Sequence, residues 1–138
     1  MSEIDFAAVM TALTQVAVDA GVVERAYDWP TADINPPCLV AGYPEGPQGF
    51  DATMYRGHDR ALFPVYIVVG AMVKRETRDR LAPYLTPFKA AIETAATYGE
   101  TMLPVPWAST RVESWDIVPF AVESLDYMAI KFAVDVLT

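Results

Sequence analysis

The sequence predicts an α+β fold, a mainly antiparallel mixed sheet flanked by helices, with elements in the order α-β-β-β-α-β-β. Three observations carry this. The N-terminal segment repeats apolar residues at helical spacing, the run "LFPVYIVVGAMV" (62–73) is apolar on both faces, and "LDYMAIKFAVDVL" (125–137) keeps one apolar face at a period of two. At 138 residues, without repeats or a linker, the chain reads as one domain, 1–138.

Ser2 with Asp5 three residues on predicts a capped helix start. Phe6, Val9, Met10, Leu13, Val16 and Ala17 then share one face, and Gly21 stands where a C-terminal cap belongs, giving a helix over 3–20. A first strand is expected at 22–29, stopped by Pro30, and a second at 38–43, closed by Pro44. Residues 44–60 hold three glycines and two prolines and read as a long loop or hairpin arm.

The strongest strand is expected at 61–73, central and covered on both sides. Its Pro64 is acceptable only near the strand start or on an unpaired side. A helical stretch over 74–99 is broken at Pro83, with Thr86-Pro87 as cap and first position of its second half. A terminal strand pair at 111–118 and 125–137 completes the order, with Met128, Ile130, Phe132, Val134 and Val136 on one face and Lys131 and Asp135 on the other.

Charge narrows the function. The chain carries 18 acidic against 10 basic residues, a net charge of −8. A specific nucleic-acid grip needs clustered cations, and "KRETRDR" (74–80), the one basic cluster, is interrupted by Glu76 and Asp79. The acidic N-terminus lacks the features of a secretion signal, and no apolar run approaches the ~20 residues that span a bilayer. A soluble protein of a reducing cytoplasm is expected. Its composition, 53% hydrophobic with 20% charged residues, leaves room for apolar surface reserved for partners.

Catalytic chemistry has little to work with. Cys38 and the single histidine, His58, are the one conceivable nucleophile–base pair, but Cys38 sits between Pro37 and Leu39 with no activating neighbour. Asp51 and Asp59 near His58 lack a second histidine and ligand spacing, so no metal or cofactor is predicted. No phosphate-binding or dinucleotide-binding glycine motif is present.

The most distinctive stretch is "YDWPTADINPPCLVAGYP" (27–44), which holds four of the eleven prolines. Around it lie the N-terminal helix, the "RGHDR" segment leading into "FPVYIVV", then "RDRLAPYL", "FKAAIE", a Trp-Asp strand and "YMAIKFAVDVL". Together these resemble tail terminator (tail completion) proteins of long-tailed bacteriophages, in particular those infecting actinobacteria. Tyr27, Trp29, Asn35, Pro36 and Pro37 match that family's proline corner, and Arg56 and Gly57 its segment before the central strand. The resemblance implies a tail-terminator-like fold and a virion protein without catalytic residues. Such a protein forms a ring of six that caps the tail tube and joins it to the head–tail connector protein. DNA passes through its lumen unbound. A head–tail adaptor, and a small enzyme or ligand-binding domain using Cys38 and His58, are the alternatives.

On this reading the prolines precede an edge strand and deny a stranger's strand its hydrogen bonds. Trp29, Phe50, Met54, Tyr55 and Arg56 are the expected contacts with a neighbouring subunit or the tail, and the 44–60 loop is expected to order on assembly. Asp51, Asp59 or Glu100 are candidates for an acidic lumen wall.

Overall fold

A computed structural model describes residues 6–29, 34, 36–45, 60–71, 75–94, 109–122 and 125–137. The elements are α1 (Phe6–Asp19), β1 (Ala26–Tyr27), β2 (Cys38–Ala41), β3 (Arg60–Ala71), α2 (Arg75–Leu81), a 3-10 turn (Ala82–Tyr84), α3 (Leu85–Thr94), β4 (Ser109–Val122) and β5 (Leu125–Leu137). They form a five-stranded mixed sheet in the order β1-β2-β3-β5-β4, parallel only between β1 and β2. This is the α+β fold expected.

Helix α1 buries Val9, Met10, Leu13, Thr14 and Ala17. It stops where the sequence says it should. Gly21 adopts φ +75°, its N–H bonds the Val18 carbonyl, and Val22 N–H bonds the Ala17 carbonyl, both at 3.0 Å. That pair of bonds satisfies the last turn and needs a left-handed residue, which glycine supplies without strain.

The same cap explains why the first strand is shorter than its expected eight residues. Val22 is occupied closing the helix and Val23 is buried in the α1 core, so the strand is confined to Ala26 and Tyr27, with the Arg25 carbonyl before them accepting from Leu39 N–H at 3.0 Å. Their partners are Leu39 and Val40. Strand β2 ends at Ala41 instead of Tyr43, where Gly42 N–H bonds the Pro64 carbonyl at 2.8 Å.

Strand β3 is central and apolar on both faces, as expected. Phe63, Val65, Ile67 and Val69 face the helices, together with Ile130, Phe132, Val134 and Val136 of β5. Phe88 of α3 meets Phe132 at a ring-centroid distance of 4.3 Å, fixing α3 over that face. Cys38, Val40, Val68 and Ala129 form a smaller buried cluster on the opposite face, flanked by Tyr27, Ile34, Tyr66, Val118, Phe120 and Tyr127.

Pro64 is fully surrounded yet costs the ladder little. Its carbonyl, and so its donor-less nitrogen, points to the β2 side, one residue beyond the last β2–β3 pair, Ala41 with Val65.

Pro83 breaks the helical stretch as expected, but Thr86-Pro87 does not restart it. The 3-10 turn runs straight into α3 at Leu85, whose N–H bonds the Ala82 carbonyl, so no chain reversal exists for a cap to serve. Strand β4 runs 14 residues, well past the expected 111–118, because β5 offers a partner at every level from Val136 and Leu137 down to Leu125. A bulge between Val112 and Ser114 changes its parity.

Gly70 shows how closely α2 sits on the end of β3. A Cβ there would stand 2.8 Å from Thr77 Oγ1, and that hydroxyl donates to the Ala71 carbonyl at 2.8 Å. We expect Gly70→Ala to destabilise the chain by about 1–3 kcal/mol, as overpacking does. Adding Thr77→Ala should recover part of that loss in a double-mutant cycle read by denaturant unfolding. Strictly additive costs would show that the close approach is not the cause.

Candidate interaction surface

The sheet has two unlike edges, and an exposed tryptophan lies beside each. On one edge the proline corner follows β1. Thr11 Oγ1 of α1 donates to Asp28 Oδ2 at 2.9 Å, pinning the corner to the helix, while Trp29 remains 57% exposed. The Pro36–Pro37 peptide is cis, and Ile34 packs against the smaller cluster. The corner leads into β2, which is not an edge strand, because β1 lies outside it. The expectation that these prolines guard an edge is therefore corrected. The edge itself is two residues long, which offers a stray strand very little.

The other edge is β4. Trp115 stands opposite Phe132 on the helix-facing side of the sheet, yet is 54% exposed. Its register runs unbroken to Ile117, which pairs with Ile130 on the same side, while the bulge carries Val112 to that side as well. An apolar residue in step with Ile117 reads as core, and its exposure comes from the edge position of β4, so sequence reasoning missed Trp115.

Near the start of β4, two guanidinium groups share one carboxylate. Arg60 grips Asp135 in bidentate fashion, Nε to Oδ1 at 2.7 Å and Nη2 to Oδ2 at 2.6 Å. Both carboxylate oxygens are thus engaged, and Arg111 Nε stands back at 3.7 Å with its side chain 63% exposed. The Asp135 hydrogen bond and charge hold the Arg60 pKa above its ordinary value.

A second polar group crosses the same face. Lys131 Nζ donates to Glu45 Oε2 at 2.6 Å and Tyr66 OH to Glu45 Oε1 at 3.3 Å. Glu45 N–H also bonds the Leu62 carbonyl at 3.0 Å. Glu45 therefore ties the chain leaving β2 across β3 to β5. The hydrogen bond to Glu45 raises the Lys131 pKa, and burial, followed by the Glu45 charge, raises that of Tyr66.

Of the residues expected at an interface, Trp29 is exposed, while Phe50, Met54, Tyr55 and Arg56 lie outside the described residues. So do His58, Asp51, Asp59 and Glu100, and with them the Cys38–His58 pair and the lumen candidates. Cys38 itself is fully buried between Val40, Val68 and Ala129. Among the described residues no group of three or more His, Cys, Asp and Glu could hold a metal, and no helix is long and apolar enough to cross a membrane.

No protein-family model matches the chain, and no curated protein matches it. A solved structure of 16% sequence identity superimposes over 96% of this chain and 92% of its own, with a TM-score of 0.44. That likeness is too loose to carry an argument about function.

Two outcomes follow from these contacts. Cys38→Ala should leave the fold intact and Cys38→Asp should abolish it, since burying a carboxylate in that apolar cluster carries a large desolvation cost. Fast labelling of native Cys38 by a thiol reagent would contradict its placement. Lys131 and Tyr66 both hold their protons more tightly when folded. Their contribution is complete below their unfolded pKa values and is lost as pH rises through the folded ones. The fall in stability above about pH 10 should thus be shallower in Glu45→Gln than in the parent chain. Equal slopes in alkaline melting curves would refute the Glu45 link.

Proposed function

We propose that this chain is a virion structural protein that assembles head to tail into a ring, of six copies in the tail-terminator manner. The ring caps a tail tube, joins it to the head–tail connector protein, and lets DNA pass through its lumen. The whole-chain resemblance of its sequence elements to tail terminators supports this reading. The observation that carries the assembly half is the unlikeness of the two sheet edges, each bearing an exposed tryptophan. Unlike surfaces that fit each other repeat in one direction, and close into a ring where the rotation permits.

Every copy brings a charge of −8, so assembly proceeds against mutual repulsion. Apolar contacts and local ion pairs must supply the affinity. A negative wall also releases no counterions to DNA and so does not hold it.

Raising salt from low to physiological strength shortens the Debye length to ~8 Å. It should shift the chain from monomer toward a single larger species in sedimentation velocity, and electron microscopy should show that species as a ring. A monomer at every salt and protein concentration would defeat self-assembly into a ring.

A further inference from the structure

Both sheet edges turn backbone groups outward at defined residues. Gly42 N–H bonds the Pro64 carbonyl, so Pro64 faces β2 and Val65, one residue on, faces β5. Val65 pairs with Phe132, whose backbone groups therefore face β3, and Trp115, opposite Phe132, turns its own to the edge. At the other edge Leu39 N–H bonds the Arg25 carbonyl, so Arg25 and Tyr27 face β2 while Ala26 faces outward. Ala26 packs on the helix-side core and Tyr27 on the smaller cluster of the opposite face. Strand directions make β4 antiparallel to β1. A second copy that extends the sheet at β4 therefore keeps like faces and outward groups together only at slides of two residues.

Resting on the ring reading, we propose that β1 of a second copy pairs with the β4 edge, Ala26 opposite Trp115. The same register sets Tyr27 opposite Ser114 and Arg25 opposite Asp116, on the face away from the helices. Charge and size select it among the allowed slides. The straight-across register sets Arg25 beside Val118 and Tyr27 beside Asp116. A slide past the chosen one sets Arg25 beside Ser114, Tyr27 beside Arg111 and β1 across the bulge. With Ala26 opposite Trp115, a small residue meets a large one on each face, and the arginine of the β1 edge meets an acid. Arg25 and Asp116 are both exposed. Lys131, beside Asp116 in its row, has its ammonium bonded to Glu45, and the five donors of a guanidinium serve more than one partner. A two-residue strand supplies one backbone exchange, between Ala26 and Trp115, so side chains carry the rest. In a closed ring the stagger is taken up by tilting the strands from the axis.

The test takes full chains that circular dichroism has shown to be folded. Tyr27 and Ser114 form a non-hydrogen-bonded pair in this register, with Cα atoms ~4.5 Å apart and within disulfide reach. In one chain they lie at opposite edges, so a bond between them joins two copies. Oxidised Tyr27→Cys/Ser114→Cys should run as crosslinked multimers on a non-reducing gel, and Tyr27→Cys/Asp116→Cys, which reads the straight-across register, should not. In sedimentation velocity Arg25→Glu and Asp116→Arg should each weaken assembly by about fivefold or more. Mixed in equal amounts they should assemble as the parent does, because in an alternating ring every contact is again complementary. No crosslink between positions 27 and 114, a crosslink between 27 and 116 instead, or parent-like assembly of both charge variants would overturn this register and leave the ring reading standing. Weakened variants that mixing does not rescue would equally overturn it. A parent chain that never associates overturns both.

Discussion

The antiparallel pairing of β3 with β5 is the constraint on which the rest of the structure depends. It runs from Arg60 with Leu137 to Ala71 with Tyr127, joining two long strands at the middle of the sheet. Each alternates so that one set of side chains meets α1 and α3 and the other builds the smaller cluster around Cys38. Once both faces of this pair are covered, the remaining strands can only be added outward. Strands β2 and β1 go to one side and β4 to the other, which makes two edges of different kinds.

What the sequence made legible is what depends on local chemistry or on a single buried partner. Strand β5 matches its predicted range because alternation over thirteen residues allows one register. The end of α1 was legible because only a left-handed residue closes that turn, and Gly21 is one. The short β1 and the long β4 were not legible, since both are set by partners distant in the chain. Val22 and Val23 alternate acceptably for a strand but are claimed by the helix cap and core. The expected strand ended at 118, yet β5 pairs residues 119–122 as well.

The candidate surface divides the same way. Trp29 stood out because prolines surround it. Trp115 did not, because a residue on the helix-facing side reads as core, and its exposure follows from lying on the edge strand.

Charge acts in this chain as placement more than as stability. Exposed ion pairs are worth little energetically, and the Glu45–Lys131 and Arg60–Asp135 pairs are both partly exposed. Each, however, joins positions far apart in sequence: residue 45 to 131, and 60 to 135. Glu45 fixes where the chain leaves β2, and Asp135 fixes the Arg60 end of β3 against β5 while holding Arg111 nearby. In a strongly acidic protein, a cation held at a defined site is a specific feature. It meets an acidic neighbour well and another cation badly, which orients association more than it strengthens it.

Edge design then bears on which assembly can form. A 14-residue edge strand with free backbone groups would invite indefinite strand addition, but β4 is interrupted by a bulge at one end and by Pro119 toward the other. The uninterrupted run between them, Ser114–Val118, contains Trp115 and Asp116. Strand β1 is too short to template anything alone. Neither edge can recruit an arbitrary strand, so a lasting contact must be specified by side chains at a matching level of the sheet. Across one row of the sheet, Thr11 Oγ1 ties Asp28 to α1 at one edge while Trp115 faces the same helix side at the other, so the two edges present unlike side chains at one level.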